Sequence, residues 1–188
     1  MKRLFIAVPI NDAARNQIYG SIIQNEYAKK LPVRWSSVQN LHLTLQFLGD
    51  VEEKRISVLK EILNRTKAPE TKEELTFTGI GTFPNPSSPR VIWLGIRRNE
   101  YLEKMQRELT RALIDNGFEA DTKKYKAHLT LGRVRENAVF PSDGLTNLGT
   151  IRENTVIDNS NLDKITLFES QLRPGGPIYT SVYEKKFN

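Results

Sequence analysis

A four-residue phrase occurs twice in this chain, as His42-Leu43-Thr44-Leu45 and as His128-Leu129-Thr130-Leu131, and it opens each time on one of the chain's only two histidines. With Leu at roughly a tenth and Thr at about a twentieth of positions in average proteins, such a coincidence has a chance on the order of one in a thousand. The repeat therefore needs a cause. β-Branched Thr between leucines, with apolar residues alternating from Leu41 to Phe47, reads as a β-strand. On a strand, His42, Thr44 and Gln46 share one face, while Leu43, Leu45 and Phe47 share the other. A fold for this chain must present two such strands, each with an apolar face and a His-x-Thr face.

The phrases lie 128 − 42 = 86 residues apart in a chain of 188. With 38% hydrophobic residues and no low-complexity tract, the expectation is one domain, residues 1–188, built as two lobes of similar design. No run approaches the roughly 18 apolar residues of a membrane span, and Met1 to Pro9 is too short and strand-like for a secretory signal. A cytoplasmic monomer with no membrane association is expected. The absence of cysteine excludes disulfides, thiolate metal sites and cysteine nucleophiles. A balance of 28 basic to 22 acidic residues, net +6, leans mildly toward polyanionic partners.

In chain order, Arg3 to Pro9 reads as a buried strand, and Asn11 or Asp12 caps a helix carrying Ala14, Ile18 and Ile22, closed by Lys29, Lys30 and Pro32. Val33 to Trp35 is a short extended piece before the first histidine strand. Asp50 with Glu53 three residues on forms a capping-box pattern for a helix bearing Ile56, Leu59, Ile62 and Leu63. Leu75 to Thr82 and Arg90 to Ile96 form a hairpin around a Pro/Asn/Ser loop. A third amphipathic helix carries Leu102, Met105, Leu109, Ala112 and Leu113 and stops at Asp115-Asn116-Gly117. Val139 to Gly149 reads as a flexible loop at the rim of the cleft, and Asp163 to Gln171 with Ile178 to Phe187 as a closing hairpin around Arg173 to Pro177.

Two imidazoles facing one substrate supply a base and an acid near neutral pH. A threonine hydroxyl two residues along the same strand face can donate a hydrogen bond to a phosphoryl oxygen held between them. A single His-x-Thr is adequately explained as a half-buried strand residue beside an ordinary β-former; its duplication, with no other histidine in the chain, is not. Arg133, five residues past His128, can add a bidentate contact to the same anion, but an unbroken strand points it to the opposite face. Gly132 must then mark a bulge or strand end. A metal needs three or four ligands, and two histidines without cysteine or suitably spaced carboxylates do not supply them, so no metal and no cofactor is expected. Neither G-x-S-x-G nor a G-x-x-x-x-G-K-[ST] loop is present. Trp35, Phe83 and Trp93 suit base stacking or a core equally well. Lys123, Lys124, Lys126, Arg133 and Arg135 suit either phosphate steering or a solvated basic face.

These residues resemble the 2H phosphoesterase superfamily, marked by a pair of H-x-[ST]-hydrophobic phrases on facing lobes, and more closely its RNA 2′,3′-cyclic phosphodiesterases of the 2′-5′ RNA ligase type. The resemblance runs through Arg3-Leu4-Phe5-Ile6-Ala7, Trp35, Asn40 to Gly49, Gly81-Thr82-Phe83-Pro84, Pro89 to Gly95 and His128 to Arg133. Ala127 departs from it, standing where proline is expected before the second histidine. The resemblance implies an α/β (α+β) fold of two lobes related by a pseudo-twofold axis, antiparallel sheets facing a central cleft and helices outside. It implies His42 as proton donor, His128 as proton acceptor, Thr44 and Thr130 on the phosphate and Arg133 assisting. RNA ends with a 2′,3′-cyclic phosphate, or cyclic nucleotides, become the expected substrates, with 2′-5′ joining as the reverse use of the same groups. The alternatives are a non-catalytic RNA- or nucleotide-binding module and a 2H enzyme acting on another cyclic phosphate.

Overall fold

The structure is a computed structural model that describes residues 1–148 and 156–187. The alternating segments become strands β1 (Lys2–Pro9), β2 (Val33–Trp35), β3 (His42–Val51), β4 (Glu74–Phe83), β5 (Val91–Ile96), β6 (His128–Val134), β7 (Val156–Asn161), β8 (Lys164–Arg173) and β9 (Gly176–Lys186). The 3.6-period segments become helices α1 (Asp12–Ile18), α2 (Ile56–Arg65) and α3 (Glu100–Asp115), joined by a short α4 (Gly144–Asn147). All strand pairs are antiparallel, and one curled sheet runs β7-β4-β5-β6-β3-β1-β8-β9, with β2 also paired to β6. The two sheets expected to face a cleft are thus halves of one sheet, joined where β3 meets β6. No helix among the described residues is long and apolar enough to cross a membrane.

One face of this sheet is the core. Leu4, Ile6 and Val8 of β1, Leu43 of β3, Ile92 and Leu94 of β5 and Leu129 of β6 are buried against Ala14 and Ile18 of α1, Leu59 and Leu63 of α2, and Leu102, Met105, Leu109 and Leu113 of α3. At about 25 cal/mol per Å² of apolar area removed from water, such a layer is the main stabilising term of the fold. Two helices start on asparagine caps: the backbone N–H of Ala14 donates to Asn11 at 2.8 Å, and that of Leu102 to Asn99 at 2.7 Å.

The two lobes repeat residue for residue around the histidine strands. In β1–β3 the pairs run Phe5↔Phe47, Ile6↔Gln46, Ala7↔Thr44, Val8↔Leu43 and Pro9↔His42. In β5–β6 they run Val91↔Arg133, Ile92↔Gly132, Trp93↔Thr130, Leu94↔Leu129 and Gly95↔His128, each number larger by 86. Even the irregularity repeats: Leu45 and Leu131 are each an extra residue in the ladder, a β-bulge one position after each threonine. The outer strands are exchanged between halves of the chain. β4, which follows the first histidine strand, pairs with β5 in the second lobe, and β8, which follows the second, pairs with β1 in the first.

Several local expectations change. Helix α1 runs into a wider π-type turn, Tyr19–Ile23, which carries Ile22, and then stops; Lys29 and Lys30 lie in a separate 3-10 turn, Ala28–Lys30. Asn25 makes the break, its side chain accepting from the Tyr27 N–H at 2.7 Å. Asp50 forms no capping box, because β3 extends to Val51 and pairs Asp50 with Arg3; α2 starts after a 3-10 turn, Glu53–Arg55. The stretch from Val139 holds α4, where Asn147 donates to the Asp143 carboxylate at 2.7 Å, and Leu148 is fully buried; Gly149 lies outside the described residues. β7 has no alternating apolar pattern and was not expected as a strand. It is an edge strand held by its backbone ladder to β4, which requires no apolar face of its own.

Gly132 is the tightest point of the second bulge. A Cβ there would lie 2.6 Å from Val33 Cγ1, 2.9 Å from Trp35 Cε3 and 3.0 Å from the Arg34 carbonyl oxygen. Gly132→Ala is expected to cost about 1–3 kcal/mol in urea unfolding, the usual range for an overpacked site. A wild-type midpoint for this variant would show that β2 does not press on β6 as described.

Candidate active site

Leu43 and Leu129 are the single ladder pair between β3 and β6 among the described residues, and both are fully buried. Side chains directly opposite in an antiparallel pair point to the same face, so the residues on either side of this pair rise together on the other face. The register carries His42 toward Thr130 and His128 toward Thr44. His42 and His128 are then diagonal neighbours, about 7–8 Å apart in a regular ladder, which is room for a phosphoryl group between two hydrogen bonds. Away from this pair the strands part into a cleft of about 750 Å³, lined by His42, Thr44, Thr130 and Arg133, with Phe47, Trp35, Tyr179, Arg34 and Arg173 around them.

The bulges decide what else enters. Beyond Leu45 the strand faces exchange, so Gln46 is buried and Phe47 is 64% exposed in the cleft, the reverse of the simple alternation. The Gln46 amide donates to the Thr110 hydroxyl at 2.7 Å and to the Asp121 carbonyl at 2.9 Å, and accepts from the Asp121 N–H at 3.1 Å, which satisfies it inside the core. Beyond Leu131 the same exchange brings Arg133 onto the face of His128 and Thr130. The carbonyl of Leu131 accepts from the Ser36 N–H at 2.8 Å. Phe47 and Arg133 thus occupy equivalent positions, five residues after each histidine.

Each imidazole is held in the same way. Nδ1 of His42 lies 2.7 Å from the carbonyl oxygen of Asn40, and Nδ1 of His128 lies 2.7 Å from that of Lys126, two residues earlier in both cases. A carbonyl only accepts, so Nδ1 carries the hydrogen and Nε2 keeps its lone pair. For His42, Nε2 accepts from the Thr44 hydroxyl at 3.0 Å. Asn40 is itself tied down, its amide donating to the Pro177 carbonyl at 2.8 Å, and Tyr125 of the second lobe donates its hydroxyl to the Thr44 carbonyl at 3.0 Å.

The surroundings of the two rings differ. Phe5 lies 4.9 Å from His42 centroid to centroid, Tyr179 meets it edge-on at 5.2 Å and Phe168 closes over it at 6.2 Å. This burial pushes its pKa down to about 4, against the opposing pull of the Asn40 carbonyl, with the charge of His128 adding to the fall. His128 has Phe83 edge-on at 5.0 Å and Trp93 at 6.2 Å. Burial lowers its pKa too, the Lys126 carbonyl opposes, and the charges of Lys126 and Arg133 add to the lowering.

Of the residues singled out from sequence, His42, Thr44, Thr130, Arg133 and Trp35 line the cleft, His128 shares their face, and Phe83 and Trp93 flank His128. The Trp35 indole N–H donates to the Ala28 carbonyl at 3.0 Å. Lys123 and Lys124 line a separate groove along α3, and residues 139–148 do not line the cleft; its rim is the hairpin turn with Arg173 and Pro177. Phe47 and Tyr179 were missed. The signal for Phe47 was its place five residues after a histidine, matching Arg133, and it carries meaning only with the bulge. Among the described residues no three His, Asp or Glu side chains converge on one point.

Because the chain has two histidines, a proton NMR titration resolves both rings. His42 is expected to titrate near pH 4, and His128 below the ordinary 6.5 of a free imidazole. The unfolded chain binds the His42 proton at about 6.5, so it holds more protons than the folded chain between about 4 and 6.5. Stability owed to His42 is therefore complete above that window and lost as pH falls through it. A His42 midpoint at or above 6.5 would contradict its enclosure by Phe5, Phe168 and Tyr179.

The family model described as LigT like Phosphoesterase matches this chain twice, over residues 8–93 and 94–179, a displacement of 94 − 8 = 86 residues that equals the spacing of the histidines. The RNA 2′,3′-cyclic phosphodiesterase of Thermotoga maritima is 34% identical over 185 residues, covering 98% of this chain and 95% of its own. That of Methanothermobacter thermautotrophicus is 32% identical over 181 residues, covering 96% of each. Among solved structures, Escherichia coli LigT complexed with 3′-AMP superposes with a TM-score of 0.78 at 24% identity over 99% of this chain and 98% of that one. Its apo form superposes at 0.77 with 26% identity over 98% and 96%. With both halves matched by one family model and with such relatives spanning nearly its full length, the chain belongs to the LigT-like 2H phosphoesterase family.

Proposed function

We propose that this chain, working as one two-lobed unit and as a monomer, hydrolyses RNA 2′,3′-cyclic phosphate ends to 2′-phosphomonoesters by acid–base catalysis between His42 and His128. The observation that carries this reading is the matched pair of imidazoles, each with Nδ1 committed to a carbonyl two residues earlier and Nε2 turned away from it, that of His42 toward the Thr44 hydroxyl, on strands that also present Thr130. Family membership and the names of the relatives support the reaction class. Both halves of the site come from one chain, so no second copy is required.

In this reaction Thr44, Thr130 and Arg133 hold the non-bridging oxygens of the cyclic phosphate. His128 Nε2 takes a proton from water as the water oxygen bonds to phosphorus. His42 gives its Nε2 proton to the ribose O3′ as the P–O3′ bond breaks, and the 2′-phosphate remains. Hydroxyl and guanidinium donors aimed at the developing oxyanion stabilise the transition state more than the ground state. The depressed pKa of His42 has a consequence for this cycle: the ring is neutral in the empty cleft and takes up its proton with the substrate, whose negative charge offsets the cost of a buried imidazolium. No metal or cofactor takes part; acid, base and anion donors are all supplied by side chains.

His42→Ala and His128→Ala are each expected to lower kcat by about 10²- to 10⁴-fold on a 2′,3′-cyclic mononucleotide. The double variant should lose far less than the product of the two, because the residues act as a unit. Thr44→Ala and Thr130→Ala should lower kcat by about ten- to a thousandfold with little change in stability. Unaltered turnover in both threonine variants would remove them from the phosphate.

Hydrolysis is expected to persist in excess EDTA and to follow a bell in pH, since one ring must be charged and the other neutral at the same moment. A nucleoside 2′-phosphate bound in the cleft should move the His42 midpoint upward in the NMR titration. Activity lost to EDTA and restored by zinc or manganese would overturn the scheme.

A further inference from the structure

The segment that leads into each histidine strand takes hold of the other one. β2, shortly before His42, pairs with β6. The next residue, Ser36, donates its N–H to the Leu131 carbonyl at 2.8 Å and its hydroxyl to the Thr130 carbonyl at 3.2 Å. Residues 121–126, before His128, are tied in turn to β3. Asp121 exchanges a pair of backbone hydrogen bonds with the Gln46 amide, and the Tyr125 hydroxyl donates to the Thr44 carbonyl at 3.0 Å. Each threonine of the repeated phrase thus has its own carbonyl held by a hydroxyl from the approach to the other histidine.

These carbonyls stand where the sheet holds its backbone least. Each belongs to the peptide unit that joins a threonine to the extra leucine of the bulge, Leu45 or Leu131, where the ladder is locally disrupted. Beyond Leu43 and Leu129, β3 and β6 share no further ladder pair among the described residues. A hydroxyl from the other side supplies the partner that the parted strands do not. The two donors are not equivalents under the repeat: 86 residues after Ser36 stands Thr122, and 86 before Tyr125 stands Gln39. Unlike residues make the same contact in the two lobes, which a shared backbone alone does not explain. Burial pushes the Tyr125 phenol up, so it stays a donor at neutral pH.

We propose that Tyr125 and Ser36 are positioning residues that act through Thr44 and Thr130: their hydroxyls fix the tilt of the peptide unit beside each threonine and so aim its side-chain hydroxyl at the phosphoryl oxygens. This rests on the placement of both threonines on the phosphate in the proposed reaction. A donor stabilises a developing oxyanion most when it is aimed beforehand, so releasing the peptide lowers kcat more than it weakens binding. On the Thr44 side the aim is visible without substrate, since the Thr44 hydroxyl donates to His42 Nε2 at 3.0 Å.

Tyr125→Phe and Ser36→Ala each remove one oxygen and leave the rest of the side chain in place. Each is expected to lower kcat on a 2′,3′-cyclic mononucleotide by about tenfold or more, with KM within about twofold of wild type. Combined with Thr44→Ala, Tyr125→Phe should have little further effect, whereas combined with Thr130→Ala it should cost its full factor; Ser36→Ala should show the reverse. Wild-type kcat in both single variants overturns the proposal. So does the same loss in either threonine background, because a general loosening of the fold ignores which threonine is present. A second reading needs no turnover: the ¹⁵N resonance of His42 Nε2 should be displaced in Tyr125→Phe, as the Thr44 hydroxyl turns from the ring, and an unmoved resonance overturns the role of Tyr125. A protein that shows this displacement but hydrolyses no cyclic phosphate keeps the link from Tyr125 to Thr44 and refutes the proposed reaction.

Discussion

The site depends on the contact between Leu43 and Leu129. Among the described residues these two buried leucines form the one ladder pair between β3 and β6, and the polar residues of the repeated phrase are on the reverse side of the same two strands. The hydrophobic effect that seals the core at this point also sets where the imidazoles stand, since a strand cannot bury one face without presenting the other. A one-residue slip of either strand would place its histidine in the core and its leucine in the cleft.

What the chain's letters disclosed, and what they withheld, follows from this geometry. Period-two alternation located β1, β3, β4, β6, β8 and β9, a run of strong β-formers located β5, and period 3.6 located α1, α2 and α3, because each buries a single face. The repeated phrase singled out both histidines and both threonines, and the structure sets them on one face of adjoining strands. Gln46 and Phe47 were assigned to the wrong faces because the bulge at Leu45 adds a residue that alternation cannot register. The corresponding bulge at Leu131 was foreshadowed by Gly132, a residue small enough for β2 to lie against, so Arg133 was placed correctly on that condition. β7 left no trace in hydrophobicity, being an edge strand held by backbone hydrogen bonds. Tyr179 was hidden because its role comes from a strand far along the chain folding over His42.

The lobes are alike in backbone and unlike in side chains. Equal Nδ1 contacts hold both rings in one tautomer, yet one ring is roofed by three aromatic side chains and the other is flanked by two, beside the charges of Lys126 and Arg133. The same position after the bulge carries Phe47 in one lobe and Arg133 in the other. The repeated frame thus carries burial on one side of the cleft and positive charge on the other.

The exchange of outer strands bears on how the molecule holds together. β4 lies in the first half of the chain and completes the second lobe, while β8 lies in the second half and completes the first. Neither half of the polypeptide contains a whole lobe, so the two are interlaced rather than merely docked. Melting one lobe withdraws a strand from the other, which couples their opening into a single cooperative event. The distance across the cleft is thereby guarded by chain topology, and a protein nicked between the lobes would remain an entwined pair of fragments with both histidines still facing each other.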